Sequence, residues 1–169
     1  MIILGIDPGS RKTGFGVIES TKSDLKYLDS GVIRLEREKE YTRRLGILAT
    51  ELSQLIEEFQ PDAVSIEKVF VSRNPSSALK LGQARGAAIS TCVIKHLAVY
   101  EYTPTQIKQS IVGKGNASKE QIQYMVSLIL SLGALPQEDA ADALAAAMCH
   151  SRVFATQSHI NNQLIEDKA

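Results

Sequence analysis

Residues 1–20 read MIILGIDPGSRKTGFGVIES. MIILGID is a short apolar run that breaks at Asp-Pro-Gly, which predicts a strand followed by a turn. GFGVIES predicts a second strand. LKYLDSGVIRL, across the polar TKSD, predicts a third. Connections this short favour an antiparallel meander.

The rest of the chain builds outward from that meander. EYTRRLGILATELSQLIEEFQ places Leu45, Leu48, Leu52, Leu55, Ile56 and Phe59 at helical spacing, and Pro61 follows as a stop. DAVSIEKVF predicts a fourth strand with Glu67 near its end. NPSSALKLGQARGAAISTCVIKHL predicts a long helix, with Asn74 as N-cap and Pro75 in the first helical position. LAVYEYTP predicts a fifth strand, and helices are expected over 105–112, 118–131 and 137–155. Three strands, then helix–strand–helix, then a strand and more helices do not alternate as a Rossmann fold does. The order predicts an α/β fold, a mixed five-stranded sheet flanked by helices. With no repeat or linker in sight, residues 1–157 are expected to form one domain and 158–169, SHINNQLIEDKA, a flexible polar tail.

Composition narrows the class. The chain has 169 residues, 44% of them apolar, enough for one buried core. No apolar run reaches the ~20 residues that span a bilayer. The first strand is cut by Asp7 and has no basic leader, so no signal peptide is expected. Cys92 and Cys149 lie far apart, and His96, His150 and His159 have no ligand spacing. A reducing, cytoplasmic setting without a zinc site is expected. Net charge is zero, yet residues 68–119 carry eight Lys or Arg against the single acid Glu101. Such a basic middle is either a phosphate-binding face or a set of solvated helix faces, and charge alone does not separate the two.

Four acids stand out. Asp7 and Glu67 end apolar strands, where an unpaired charge is costly. Asp139 and Asp142, in LPQEDAADALAAAMCH (135–150), project from one face of an alanine-rich helix. Each has a plainer reading on its own. Asp7 suits a turn, Asp139 suits a helix N-terminus, and Glu67 has Lys68 and Arg73 nearby. Asp142, past the first turn among alanines, is harder to explain. Together the four suggest a site for hard cations, which take oxygen ligands. Two such ions about 4 Å apart can activate a water and stabilise the leaving oxygen of a phosphodiester.

Three motifs carry a resemblance. GIDPGSRKTGFGVI, SIEKVFVSRNPSSALKLGQARGAA and DAADALAAA, in this order and with IKQSIVGKGNASK between the last two, resemble the bacterial RuvC family of Holliday junction resolvases. The resemblance runs from about Met1 to Arg152. It implies a ribonuclease H-like fold, a homodimer, and paired, symmetric cutting of four-way DNA junctions in recombination and repair. It also implies two Mg²⁺ ions per active site, with Mn²⁺ as a substitute. The family's metal ligands fall on Asp7, Glu67, Asp139 and Asp142; some relatives carry His at the position of Asp139.

The same resemblance gives Phe70 a stacking role on an unpaired base near the crossover, and places Lys108 and Lys119 beside the scissile phosphate. Arg73, Asn74, Ser76, Lys80 and Lys114 are expected to contact DNA phosphates. The long helix, through Leu81, Ala84, Arg85 and Ala88, is expected to form the dimer contact. A branch-migration helicase complex of RuvA and RuvB is implied as partner, and no membrane. The residues by themselves leave rivals. DPGSRKTGFG also resembles the first phosphate loop of actin-like ATPases and sugar kinases, although no second phosphate motif is visible. A ribonuclease H-like nuclease acting on RNA or hybrid duplex, and a junction binder without catalysis, complete the set.

Overall fold

In a computed structural model the described residues are 1–22, 24–69 and 74–166, with backbone alone from 158 onward. The meander forms as expected: β1 (Ile2–Asp7), β2 (Lys12–Ser20) and β3 (Leu25–Arg34) pair antiparallel, with a bulge in β3 at Leu28, opposite the Val17–Ile18 step of β2. Helix α1 (Tyr41–Phe59) then returns the chain so that β4 (Ala63–Glu67) lies parallel to β1. Helix α2 (Pro75–Ile94) returns it again, and β5 (Ala98–Tyr102) lies parallel to β4. The sheet order is β3-β2-β1-β4-β5, mixed and five-stranded. Helices α3 (Pro104–Val112), α4 (Lys119–Ile129) and α5 (Glu138–Glu166) complete the chain.

Strand alternation splits the core into two layers. Leu4, Ile6, Val64 and Ile66 point to α1 and α2, where they meet Leu48, Leu52, Ile56, Ala84 and Ala88. On the other face, Ile3 and Ile18 meet α5, which in turn packs against α3 and α4 through Ile107, Ile111, Ile122 and Val126. The alanines of α5 have a steric purpose. A Cβ added at Gly5 would lie 1.9 Å from the carbonyl oxygen of Ala143, and one at Gly14 would lie 1.9 Å from that of Asp139. Glycines in β1 and β2 facing alanines in α5 let the helix backbone lie directly on the sheet.

Two expectations are revised. The last helix runs on to Glu166, well past the stop expected at 155. Nothing in SHINNQLIEDKA breaks a helix, since the segment holds neither proline nor glycine. Ala84 and Ala88, expected at a dimer contact, are fully buried in this chain's own core. Their side chains have no surface to offer a second copy.

Candidate active site

Asp7 is the last residue of β1 and Glu67 the last of β4. These strands are parallel neighbours in register, Ile6 beside Ile66, so both acids leave the sheet at the same edge. Each shares its strand face with residues turned toward α5: Gly5 abuts Ala143, and Ser65 Oγ donates to the carbonyl of Ala146 at 2.6 Å. Asp142 comes to meet them from the first turns of α5. A cavity of about 230 Å³ is lined by Asp7, Glu67, Asp142, Lys108 and Lys119, with Pro104, Ile107 and Ile122 as its apolar wall.

Asp139 sits differently. It faces an adjoining groove of about 560 Å³, shared with Arg11, Lys12, Glu36, Ser77 and Leu81. Its charge still reaches the cavity, raising the carboxyl of Asp7 and that of Asp142. The structure thus brings three of the four acids and both lysines into one cavity, with the fourth acid at its border.

The electrostatics are those of a crowded anionic site. Burial, then the neighbouring Glu67, Asp142 and Asp139, push Asp7 up to about 8, with Lys119 opposing. Burial and Asp142 push Glu67 up to about 7 against Lys108 and Lys119. Asp142 is raised chiefly by burial. Desolvation and like charge act in the same direction, so the ionised cluster lacks positive charge.

The two lysines enter on capped helices. Thr103 forms a capping box with Gln106 at the start of α3, which carries Lys108; Ser118 does the same with Gln121 at the start of α4. Lys119 is the first residue of α4, where a cation opposes the helix dipole. Acids compensate it: Lys119 Nζ bonds Glu138 and stands 3.9 Å from Asp142. Its pKa is raised, first by the bond to Glu138. The sequence reading missed Glu138. Its signal was faint, an acid one residue before Asp139 in a helix's first turn.

The donor set tests well against a hard divalent ion. All four acids offer oxygen only, which is what Mg²⁺ and Mn²⁺ prefer. Among the described residues, no three or more metal-binding side chains already converge on one point. Mutual repulsion works against convergence of bare carboxylates, and Mg²⁺ keeps several waters between itself and some of its ligands.

The remaining expected residues lie elsewhere. Asn74 caps α2, accepting from the backbone N–H of Ser76 at 3.0 Å and of Ser77 at 3.4 Å. Ser76 and Lys80 are exposed on α2, with the Lys80 ammonium 5.8 Å from the ring centroid of Tyr41. Lys114 borders a separate polar groove with Asn116 and Gln121. Leu81 is half-buried on α2. Arg85 is occupied within the chain, 2.5 Å from Glu101 and donating from Nε to the carbonyl of Glu67 at 3.4 Å. Phe70 and Arg73 lie outside the described residues.

The family model described as crossover junction endodeoxyribonuclease RuvC matches residues 3–150. The crossover junction endodeoxyribonuclease RuvC of Hydrogenovibrio crunogenus is 56% identical over 150 residues, covering 89% of this chain and 87% of the relative. A solved structure, T. thermophilus RuvC in complex with a Holliday junction substrate, superposes with a TM-score of 0.87 at 32% identity, covering 93% of this chain and 96% of that one. The yeast mitochondrial Holliday junction resolvase Ydc2, 15% identical with a TM-score of 0.69, shares the fold. The fold is ribonuclease H-like.

Proposed function

The chain belongs to the RuvC family of crossover junction endodeoxyribonucleases, and on that premise we propose that it resolves four-way DNA junctions by paired, symmetric, metal-dependent phosphodiester hydrolysis. The observation that carries the reading is the cavity itself: Asp7, Glu67 and Asp142 at the edge of two parallel strands, with Lys108 and Lys119 in the same wall. Asp7, Glu67, Asp139 and Asp142 would hold two Mg²⁺ ions, with Mn²⁺ as substitute. When bound, such ions supply Lewis acidity, activating a water and stabilising the leaving oxygen. Lys108 and Lys119 place fixed positive charge where a phosphate under attack gathers negative charge. Pro104, Ile107 and Ile122 form the apolar part of the wall beside the two lysines.

The basic residues outside the cavity, Lys80 and Lys114 with the capped start of α2, supply sequence-independent phosphate contacts. Phe70 stacks on an unpaired base at the crossover. A second copy docks on the exposed side of α2, and the homodimer matches the approximate two-fold symmetry of the junction. Work in the cytoplasm beside the RuvA–RuvB helicase complex completes the reading. No helix among the described residues is long and apolar enough to cross a membrane.

The test is incubation with a synthetic four-way junction, a matched linear duplex and an RNA–DNA hybrid, each with Mg²⁺ and with EDTA. Paired nicks in the junction alone, and only with Mg²⁺, are expected. Cutting of the hybrid in preference to the junction would favour a nuclease acting on RNA instead.

A further inference from the structure

Two turns beyond Asp142 on α5 lies His150, a buried polar side chain for which the catalytic cavity has no direct use. Only 2% of it is exposed. Its Nδ1 is 2.8 Å from the hydroxyl of Tyr102, itself 7% exposed, and its ring stacks on Tyr100 with centroids 4.2 Å apart. The other ring nitrogen, Nε2, is buried with no hydrogen-bond partner among the described residues. Leaving such a group unpaired costs about 1–3 kcal/mol, so an apolar pair would make the simpler core.

The position of Tyr102 explains what the pair does. In the sheet Tyr102 is the register partner of Glu67, and its carbonyl accepts from Lys68 N–H at 2.8 Å. The next residue, Thr103, caps α3, the helix that carries Lys108. The hydroxyl of Tyr102 reaches His150 on α5, the helix that carries Asp142. Tyr102 is therefore joined to three elements of the cavity wall at once. Between the two ends, Ser65 Oγ bonds the carbonyl of Ala146, one turn before His150. Alanines against glycines set how closely α5 lies on the sheet; directional hydrogen bonds fix where along the sheet it lies.

We propose that Tyr102 and His150 are positioning residues, whose hydrogen bond sets the height of α5 on the sheet and so the placing of Asp142 against Glu67 for a divalent cation. This rests on the metal-dependent reading of the cavity given above.

The experiment compares wild type, Tyr102→Phe and the double variant Tyr102→Phe/His150→Leu. Three quantities are measured: Mn²⁺ affinity by electron paramagnetic resonance titration, junction affinity in EDTA, and melting temperature. Tyr102→Phe is expected to weaken Mn²⁺ binding about ten-fold and to leave junction affinity in EDTA unchanged. The double variant replaces both polar partners and is expected to regain stability while Mn²⁺ binding stays weak. A purely structural pair predicts that metal affinity returns with stability. That result, or wild-type Mn²⁺ affinity in Tyr102→Phe, overturns the proposal. If Tyr102→Phe does not fold, the double variant decides alone. A wild-type protein that neither binds Mn²⁺ nor nicks the junction overturns the proposed function, and this inference with it.

Discussion

At the residue scale the most telling group is Asp7, a carboxyl held near 8 by burial and by three other acids. The folded chain binds a proton there that the unfolded chain, with an ordinary carboxyl near 3.8, has released. Where the folded state binds more protons, stability falls as pH rises. The window runs from the ordinary carboxylate range up to about 8. Without metal, Asp7→Asn should therefore gain on the wild type as pH increases from about 5 to about 8, ending about 1–3 kcal/mol more stable. Thermal melts in EDTA across that range check it. Mg²⁺ at the top of the window should raise the melting temperature of the wild type and leave that of Asp7→Asn nearly unchanged. The same variant should bind the junction and fail to cut it. Lys119 gives a second prediction. It is exposed, tied to Glu138 and 3.9 Å from Asp142, so Lys119→Ala should barely alter junction affinity and should slow single-turnover cleavage about 10²-fold. Unchanged cleavage would remove Lys119 from the chemistry. Asp7, Glu67 and Asp142, which share one cavity, stood out because a charge at the end of an apolar strand, or among alanines, needs a reason. Glu138 was not legible, since an acid in a helix's first turn has an ordinary reason already.

At the scale of elements, the decisive contact is α5 on the glycines of β1 and β2. Two of the acids ride on this helix, so its distance from the sheet sets the width of the cavity. Gly14 is the register partner of Asp7, and its missing Cβ leaves room for the carbonyl of Asp139. Gly14→Ala forces backbone against backbone, and neither partner can rotate away. The expected cost is about 2–3 kcal/mol, seen as a lower urea midpoint, together with loss of cleavage in the fraction that remains folded. Gly46→Ala, where an added Cβ meets nothing, is the control and should be neutral or slightly stabilising. The first strands and their turns could be read from sequence because apolar runs ended at Asp-Pro-Gly and TKSD, and the first helix because its periodic run ended at Pro61. The facing of α2 could not. Gly82, Ala84, Gly86, Ala87 and Ala88 are alike in size and hydropathy, so the periodic contrast that assigns a buried face is missing. Ala84 and Ala88 went to the core and Gly82 and Gly86 to the surface. The end of α5 was misjudged for a related reason: polarity marks exposure, whereas only proline, glycine or a capping residue marks a stop.

At the scale of the whole molecule, the exposed side of α2 is the surface on which the proposed two-fold assembly can be tested. Leu79 is 70% exposed, Val93 55% and Ile94 74%, a heavily apolar surface for one helix. Between them, an added Cβ at Gly82 or Gly86 meets open space, so two such helices could cross at close range. The other side of α2 is fixed to the cavity, because Arg85 donates to the carbonyl of Glu67 while paired with Glu101. A dimer built on this face would hold its two cavities in fixed relation, as paired nicks on strands of like polarity require. Gly86→Arg tests this without disturbing the protomer, since nothing in the same chain stands within 4 Å of the new Cβ. Sedimentation should show wild type at twice the 18.4 kDa of one chain and Gly86→Arg at the single mass, with melting temperature reduced only as far as dimer dissociation requires. On a supercoiled plasmid carrying an extruded cruciform, the wild type should produce linear DNA, both nicks falling within one binding event. The variant should produce nicked circles, because its cuts are independent and the first relaxes the cruciform away. A Gly86→Arg protein that still sediments as a dimer would place the interface on another face of the molecule. One that is monomeric yet still linearises the plasmid would break the link between two-fold assembly and paired cutting.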